Sequence, residues 1–303
     1  MKFQEWLEAS RGRSFRYCIA VYLVAIAAAV ATGDSLHHSS LVLKAGAGDL
    51  AATLVVFIAS VTANNSSVYD PYWSAAPVPI AFFWILNAPG AVDYLDLTGV
   101  VAFILVLIWA IRLTNNWARG WRGLGQEDWR YRDFRKFPPV LYWLVSFFGF
   151  HLFPTVLVFL GSLSLFPILA AHSTTDFHGL DALAILIIAG AIWIEARADV
   201  ELHEFKANAE NRGQLLESGI WRFSRHPNYF GEVSFWWGLY LAGLASNSSY
   251  WWTIIGPIAI SALFIFVSIP MMELHMIEHH SEYLDARVGR SALVPWFRRS
   301  TGD

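Results

Sequence analysis

Cysteine is nearly absent from this 303-residue chain. Cys18 stands alone in an apolar run, which excludes an intrachain disulfide and a thiolate metal cluster. Charge is also scarce: 15% of residues are Asp, Glu, Lys or Arg, against about 25% in soluble domains. The net charge of −3 gives no basic field for nucleic acid. Neither an internal repeat nor a low-complexity tract is visible. Gly120, Gly123 and Gly125 do not spell GxGxxG and follow no expected strand, so no Rossmann dinucleotide fingerprint is present. The opening, MKFQEWLEASRGRSFRY, is polar too far into the chain for a cleaved signal peptide. The first apolar run is therefore read as a retained membrane helix.

What is plentiful is apolar surface. Hydrophobic residues make up 56% of the chain, with 15 Trp and 22 Phe, and the mean hydropathy is +0.43. A water-soluble fold of this length cannot hide so much, whereas a lipid-facing bundle with aromatic belts can. A membrane helix takes about 20 apolar residues. Segments that fit are roughly 16–32, 49–63, 75–91, 97–113, 138–168, 180–196, 231–246 and 250–271. Pro77, Pro79 and Pro89 weaken the third, and Pro154 predicts a tilt or kink in the fifth. No charge is expected mid-helix in these spans, which weighs against a transport pathway. The fold class is all-α, a polytopic transmembrane bundle of about eight helices.

Twenty of the 21 Lys and Arg fall in 2–16, 112–136, 197–225 and 287–299; the exception is Lys44. By the positive-inside rule all four stretches, and both termini, are cytoplasmic. The sparsely basic loops 33–48, 92–96, 169–179 and 247–249 are then external. The loop NNSSVYDPYWSAAP falls on the cytoplasmic side, so every polar motif shares one face.

Five polar clusters bear on chemistry. In SGIWRFSRHPNYFGE, Arg222, Arg225 and His226 offer donors for phosphate oxygens, and Asn228 and Tyr229 suit an amide or ribose. Contact with anionic headgroups explains the arginines but not Asn228, Tyr229 and Glu232 at a helix mouth. In EARADVELHEFKANAENR, Asp199, His203 and Lys206 share a helical face, with Asn211 and Arg212 beyond. An ion-paired solvated extension explains that cluster equally well. EDWRY (Glu127 to Tyr131) is denser than an interfacial anchor requires. Asp70, before Pro71, is either a helix N-cap or a functional acid. His275, Glu278 and His279 match H-x-x-E-H, but no further ligand and no protease domain accompany them, so no metal is expected.

SRHPNYFGE, preceded by Asp199, Lys206, Asn211 and Arg212, resembles the steroid 5-alpha-reductase-like membrane proteins, in their uncharacterised bacterial branch. Arg112 with EDWRY, DPYWS, and the end from Glu273 through SALVPWF resemble the same branch. The likeness covers about residues 50–298. It implies a seven-helix reductase core, here 49–303 with cytoplasmic cofactor loops, preceded by 1–48, which hold a polar segment, one added helix and an external loop. It also implies a multi-pass protein of a bacterial inner membrane. The implied activity is NADPH-dependent reduction of a carbon–carbon double bond in an apolar steroid-, isoprenoid- or lipid-like substrate drawn from the bilayer.

On this resemblance the cofactor-binding residues are Asp199, His203, Lys206, Asn211, Arg212, Arg222, Arg225, His226, Asn228, Tyr229, Glu232 and His275. Asp70 lies where the steroid enzymes have a catalytic Glu, and Trp109 replaces their catalytic Tyr. Tyr131 and Tyr229 join Asp70 as candidate catalytic groups, since Trp has no phenolic proton to give. The alternative is an S-adenosylmethionine-dependent methyltransferase. Membrane isoprenylcysteine carboxyl methyltransferases share an RHP-x-Y-x-G stretch, and NYFGE with EDWRY favours the reductases.

Overall fold

A computed structural model describes residues 3–8, 10–88, 96–171 and 177–297. Parts of the expected external loops 92–96 and 169–179, and the end of segment 75–91, lie outside the described residues. The described residues form helices and no strands. They divide into two compact units, residues 1–172 and 173–303.

The first unit holds α1 (Arg11–Ser35), α2 (Leu41–Ala63), α3 (Pro77–Asn87), α4 (Leu97–Gly120) and α5 (Pro139–Ser162). Three begin on side-chain caps. Ser10 accepts from the Arg13 amide, Ser40 from Leu43 and Asp96 from Gly99, each supplying an acceptor that a helix start otherwise lacks. Asn64 ends α2 in the left-handed conformation that Asn tolerates. In α3 the prolines lie where they cost least. Pro77 and Pro79 occupy the first turn, whose N–H groups need no helical partner.

α2 begins at Leu41, well before the apolar segment read at 49–63. This overturns the expectation of uncharged spans, because Asp49 is inside the helix and buried. The segment 138–168 also differs from expectation. α5 ends at Ser162, and a separate short helix, Leu165–Leu169, follows.

The second unit holds α6 (Gly179–Ala207), α7 (Pro227–Ser246) and α8 (Ser248–His279). α6 runs eleven residues beyond the expected 180–196, and carries its polar end along as helix. α7 packs against α6 through Gly231. A Cβ there would lie 2.7 Å from the Glu195 Cβ and 2.8 Å from the Ala191 carbonyl oxygen, so only glycine permits this approach. Two π turns, Ser146–Leu152 in α5 and Phe264–Ser268 in α8, each end just before a proline, Pro154 and Pro270. The wider turn accommodates the carbonyl that each ring leaves without an N–H partner.

Six of these helices, α1, α2, α4, α5, α6 and α8, are long and apolar enough to cross a membrane. α3 is shorter, at 11 residues, and α7 carries Glu232 within its 20. Leu23, Ile58, Ile104, Leu186 and Phe266 are exposed on spanning helices, as lipid-facing residues must be.

Candidate functional site

Each unit carries a polar centre. In the first, the NNSSVYD loop after α2 is laced to the EDWRY segment after α4. Asn65 donates to the carbonyls of Leu124 and Gln126. The Ser66 amide donates to Glu127 at 2.7 Å, and the Asp128 amide donates to the Ser67 hydroxyl. Arg135 grips Glu127 with both Nε and Nη2 at 2.8 Å, bonds Asn64, and lies 3.9 Å over the Tyr142 ring. The polar groups that end α2 are therefore satisfied by a segment some sixty residues away in sequence.

That lacing seats Tyr131 against Asp70. The phenol donates to the Asp70 Oδ1 at 2.6 Å, while the Tyr131 ring packs on Phe150. Burial pushes Asp70 up to about 6, against the pull of Arg130 and the Tyr131 hydrogen bond. Burial also raises Tyr131 well above the ordinary phenol range, helped by the charge of Asp70. Arg130 itself is held by a two-point pair with Asp128. A carboxyl that takes up its proton near pH 6, bonded to a phenol that stays protonated, is an acid pair: it can deliver a proton to an oxygen that gains negative charge. Trp109 is fully buried with its ring 6.4 Å from Trp73, and takes a packing place.

The second centre is the SRHPNYFGE turn. Its backbone is pinned from two sides. From α6, Glu201 accepts from the Ile220 amide, and Ala198 accepts from the Trp221 indole. Gly219 lies under Glu201 with φ +58, a position that any side chain would block. From the C-terminal side, SALVPWF runs alongside. The Arg225 amide donates to Ser291, Ser224 Oγ donates to Leu293, and the Trp296 amide donates to Phe223.

Arg225 is largely committed within the chain. Its Nε donates to Glu273 at 2.7 Å and its Nη1 to the Arg287 carbonyl. His226 is buried, 3.5 Å from the same carboxylate, and its ring stacks on Tyr229 at 5.1 Å. Glu232 is buried and accepts from the Trp236 indole at 2.8 Å. Asn228 presents a buried side-chain oxygen with no hydrogen-bond partner. Lys206, Arg212, Arg222 and His203 are exposed, Asp199 is half-buried on α6, and Asn211 donates to the Phe205 carbonyl as α6 ends. His275 stacks on His279 at 4.1 Å; with Glu278, their ligand atoms lie within 4.8 Å of one another.

Sequence reasoning missed the buried polar groups among the helices of the first unit. Tyr72 donates to Asp49 Oδ1 at 2.6 Å. Thr155 bonds both Thr53 and Tyr69. His151 lies between Ser60 and Ser146. Ser40 four residues before Lys44 was the available signal, since a cap there starts α2 early enough to enclose Asp49.

A family model described as "Protein of unknown function (DUF1295)" matches residues 56–287. "Uncharacterized protein C594.04c" of Schizosaccharomyces pombe is 26% identical over 231 residues, 69% of this chain and 67% of its own length. No solved structure matches.

Proposed function

This chain belongs to the DUF1295 family, in the steroid 5-alpha-reductase-like group, and from that premise we propose that it is an NADPH-dependent membrane reductase of a carbon–carbon double bond in an apolar substrate. The observation that carries the reading is the Tyr131–Asp70 hydrogen bond. Reduction of a conjugated alkene needs a proton donor at the conjugated oxygen; transfer of a methyl group to a carboxylate does not. On the resemblance Trp109 stands where the family's catalytic Tyr would, so the phenol has to come from another segment, and Tyr131, bonded to Asp70, is the candidate.

The second centre supplies groups that fit the cofactor. The unpartnered Asn228 oxygen suits the carboxamide N–H of a nicotinamide. Glu232 lies in the next turn of the same helix and makes a poor phosphate neighbour, so it belongs with that uncharged end. Lys206, Arg212 and Arg222 are the exposed bases for phosphate oxygens. Arg225 and His226 stiffen the turn through Glu273. NADPH, when bound, supplies hydride. The protein's own part in the first unit is proton delivery, with Tyr131 as the donor when enolate charge develops. Asp70, protonated below about pH 6, then restores the phenol. Both termini and the polar loops belong on the cytoplasmic side by this reading, and a reporter fused after Asp96 should register as external.

Titration of the purified full-length protein with NADPH and with S-adenosylmethionine tests the assignment. NADPH should bind, and Arg222→Ala should weaken it about tenfold or more, by loss of a charge-assisted phosphate contact. S-adenosylmethionine binding with no response to NADPH would replace this reading by the methyltransferase one.

A further inference from the structure

A cleft of about 150 Å³ opens in the first unit among α1, α2 and α3 and the turn before α3. Apart from Tyr22, Lys44, Asp49 and Tyr72, its lining is apolar, drawn from residues such as Val30 and Phe83. A cavity of about this size holds a compact hydrocarbon ring. Asp49 is nine residues into α2, about 12 Å along the helix from Leu41, which places it at hydrocarbon depth in a spanning helix.

The polar accounting of the cleft is uneven. Tyr22 spends its hydroxyl hydrogen on the Val68 carbonyl at 2.9 Å, and Tyr72 spends its own on Asp49 Oδ1 at 2.6 Å. Asp49 Oδ2 is buried and has no partner. An orphaned carboxyl oxygen in apolar surroundings is costly, and an acid inside a membrane helix marks a functional position by default. Asp49 is on the lining, so a small rotation of its carboxyl presents Oδ2 to whatever enters the cleft, which can then bring the missing partner. An alcohol satisfies Oδ2 whether Asp49 is ionised, by donating its O–H, or neutral, by accepting from the carboxylic acid. A ketone satisfies only the second. A cationic amine would meet Lys44, the one basic residue on this lining. Tyr22, Lys44 and Asp49 all precede residue 56, so this site is not built from the shared family segment alone.

We propose that this cleft is a binding site for a compact apolar alcohol, held by its hydroxyl on Asp49 Oδ2. The site stands whether or not the chain is a reductase.

The test uses full-length protein in phosphatidylcholine nanodiscs and two photoreactive probes, an adamantyl diazirine bearing a hydroxyl and the same diazirine without it. Mapped by peptide mass spectrometry, the hydroxyl probe should label α1 and α3 at least fivefold above its hydrocarbon twin. Excess 1-adamantanol should suppress that labelling and adamantane should not. Asp49→Leu should bring the two probes level, while Val30→Trp, at an exposed position on the lining, should reduce both. Equal labelling of the folded wild-type protein by the two probes, or equal competition by adamantane, overturns the proposal without recourse to any variant. NADPH titration of Val30→Trp should be unchanged, which separates this site from the cofactor's.

Discussion

Removing the Tyr131 hydroxyl should move the titration of Asp70, and the direction is fixed by the hydrogen bond. Asp70 is pushed up to about 6 chiefly by burial, and the bond from Tyr131 pulls the other way by stabilising the ionised carboxylate. In the wild-type protein roughly nine in ten Asp70 side chains are then protonated at pH 5 and about one in ten at pH 7. A hydrogen bond to a charged group contributes about 1.5–3 kcal/mol. Its loss in Tyr131→Phe should therefore raise the midpoint by about one to two pH units. Infrared difference spectra across pH read this without any substrate. The protonated-carboxyl carbonyl band that disappears in Asp70→Asn should titrate near pH 6 in wild type and higher in Tyr131→Phe. The same shift sets the stability profile. With its folded value raised, Asp70 favours the native state below about pH 4, and that contribution is lost as pH rises towards 6. A wild-type midpoint near the ordinary carboxylate value, or one that Tyr131→Phe leaves in place, would refute the acid pair.

Three further outcomes follow from the packing. Arg135→Ala should destabilise the first unit by about 1–3 kcal/mol, because Glu127 keeps its Ser66 and Tyr142 donors but loses its cationic partner, and Asn64 loses its grip; thermal unfolding in detergent, with Arg135→Lys as the milder comparison, measures it. Gly231→Ala should cost about 1–3 kcal/mol by overpacking α7 against Glu195 and Ala191, and thermal unfolding that shows undiminished stability in this variant would contradict the close approach. Metal analysis of purified protein should find no stoichiometric zinc at His275, Glu278 and His279: among the described residues three side chains converge there, and His279 Nδ1 already lies 2.8 Å from the His275 carbonyl. One zinc per chain, lost in His279→Ala, would reverse that expectation.

The fold was largely legible because its signals are long and redundant. Apolar runs marked the spanning helices, and their prolines fell at starts and beside π turns. The boundaries were less legible. A segment begun at Asp49 made that acid a terminal residue, whereas the Ser40 cap makes it an interior one. Asp70 and Tyr131 stood out in separate motifs, DPYWS and EDWRY, but nothing in the sequence states that they touch; the bond depends on Asn65, Ser66 and Arg135 lacing the two loops. Arg225 shows the opposite case. Among arginines beside a helix mouth it reads as a phosphate ligand, and only the fold brings Glu273, 48 residues later, onto its guanidinium. Burial decides which charges are spent inside the chain, and burial is a property of long-range packing.

As a reductase, the protein would use the SRHPNYFGE turn to hold a reduced nicotinamide cofactor. The most direct test is the small molecule carried through purification. Full-length protein, extracted gently and denatured, should release NADP(H) detectable by mass spectrometry, in amounts that fall sharply in Arg222→Ala. Release of S-adenosylmethionine or its demethylated product, with no nicotinamide nucleotide, would replace the reductase by a methyltransferase.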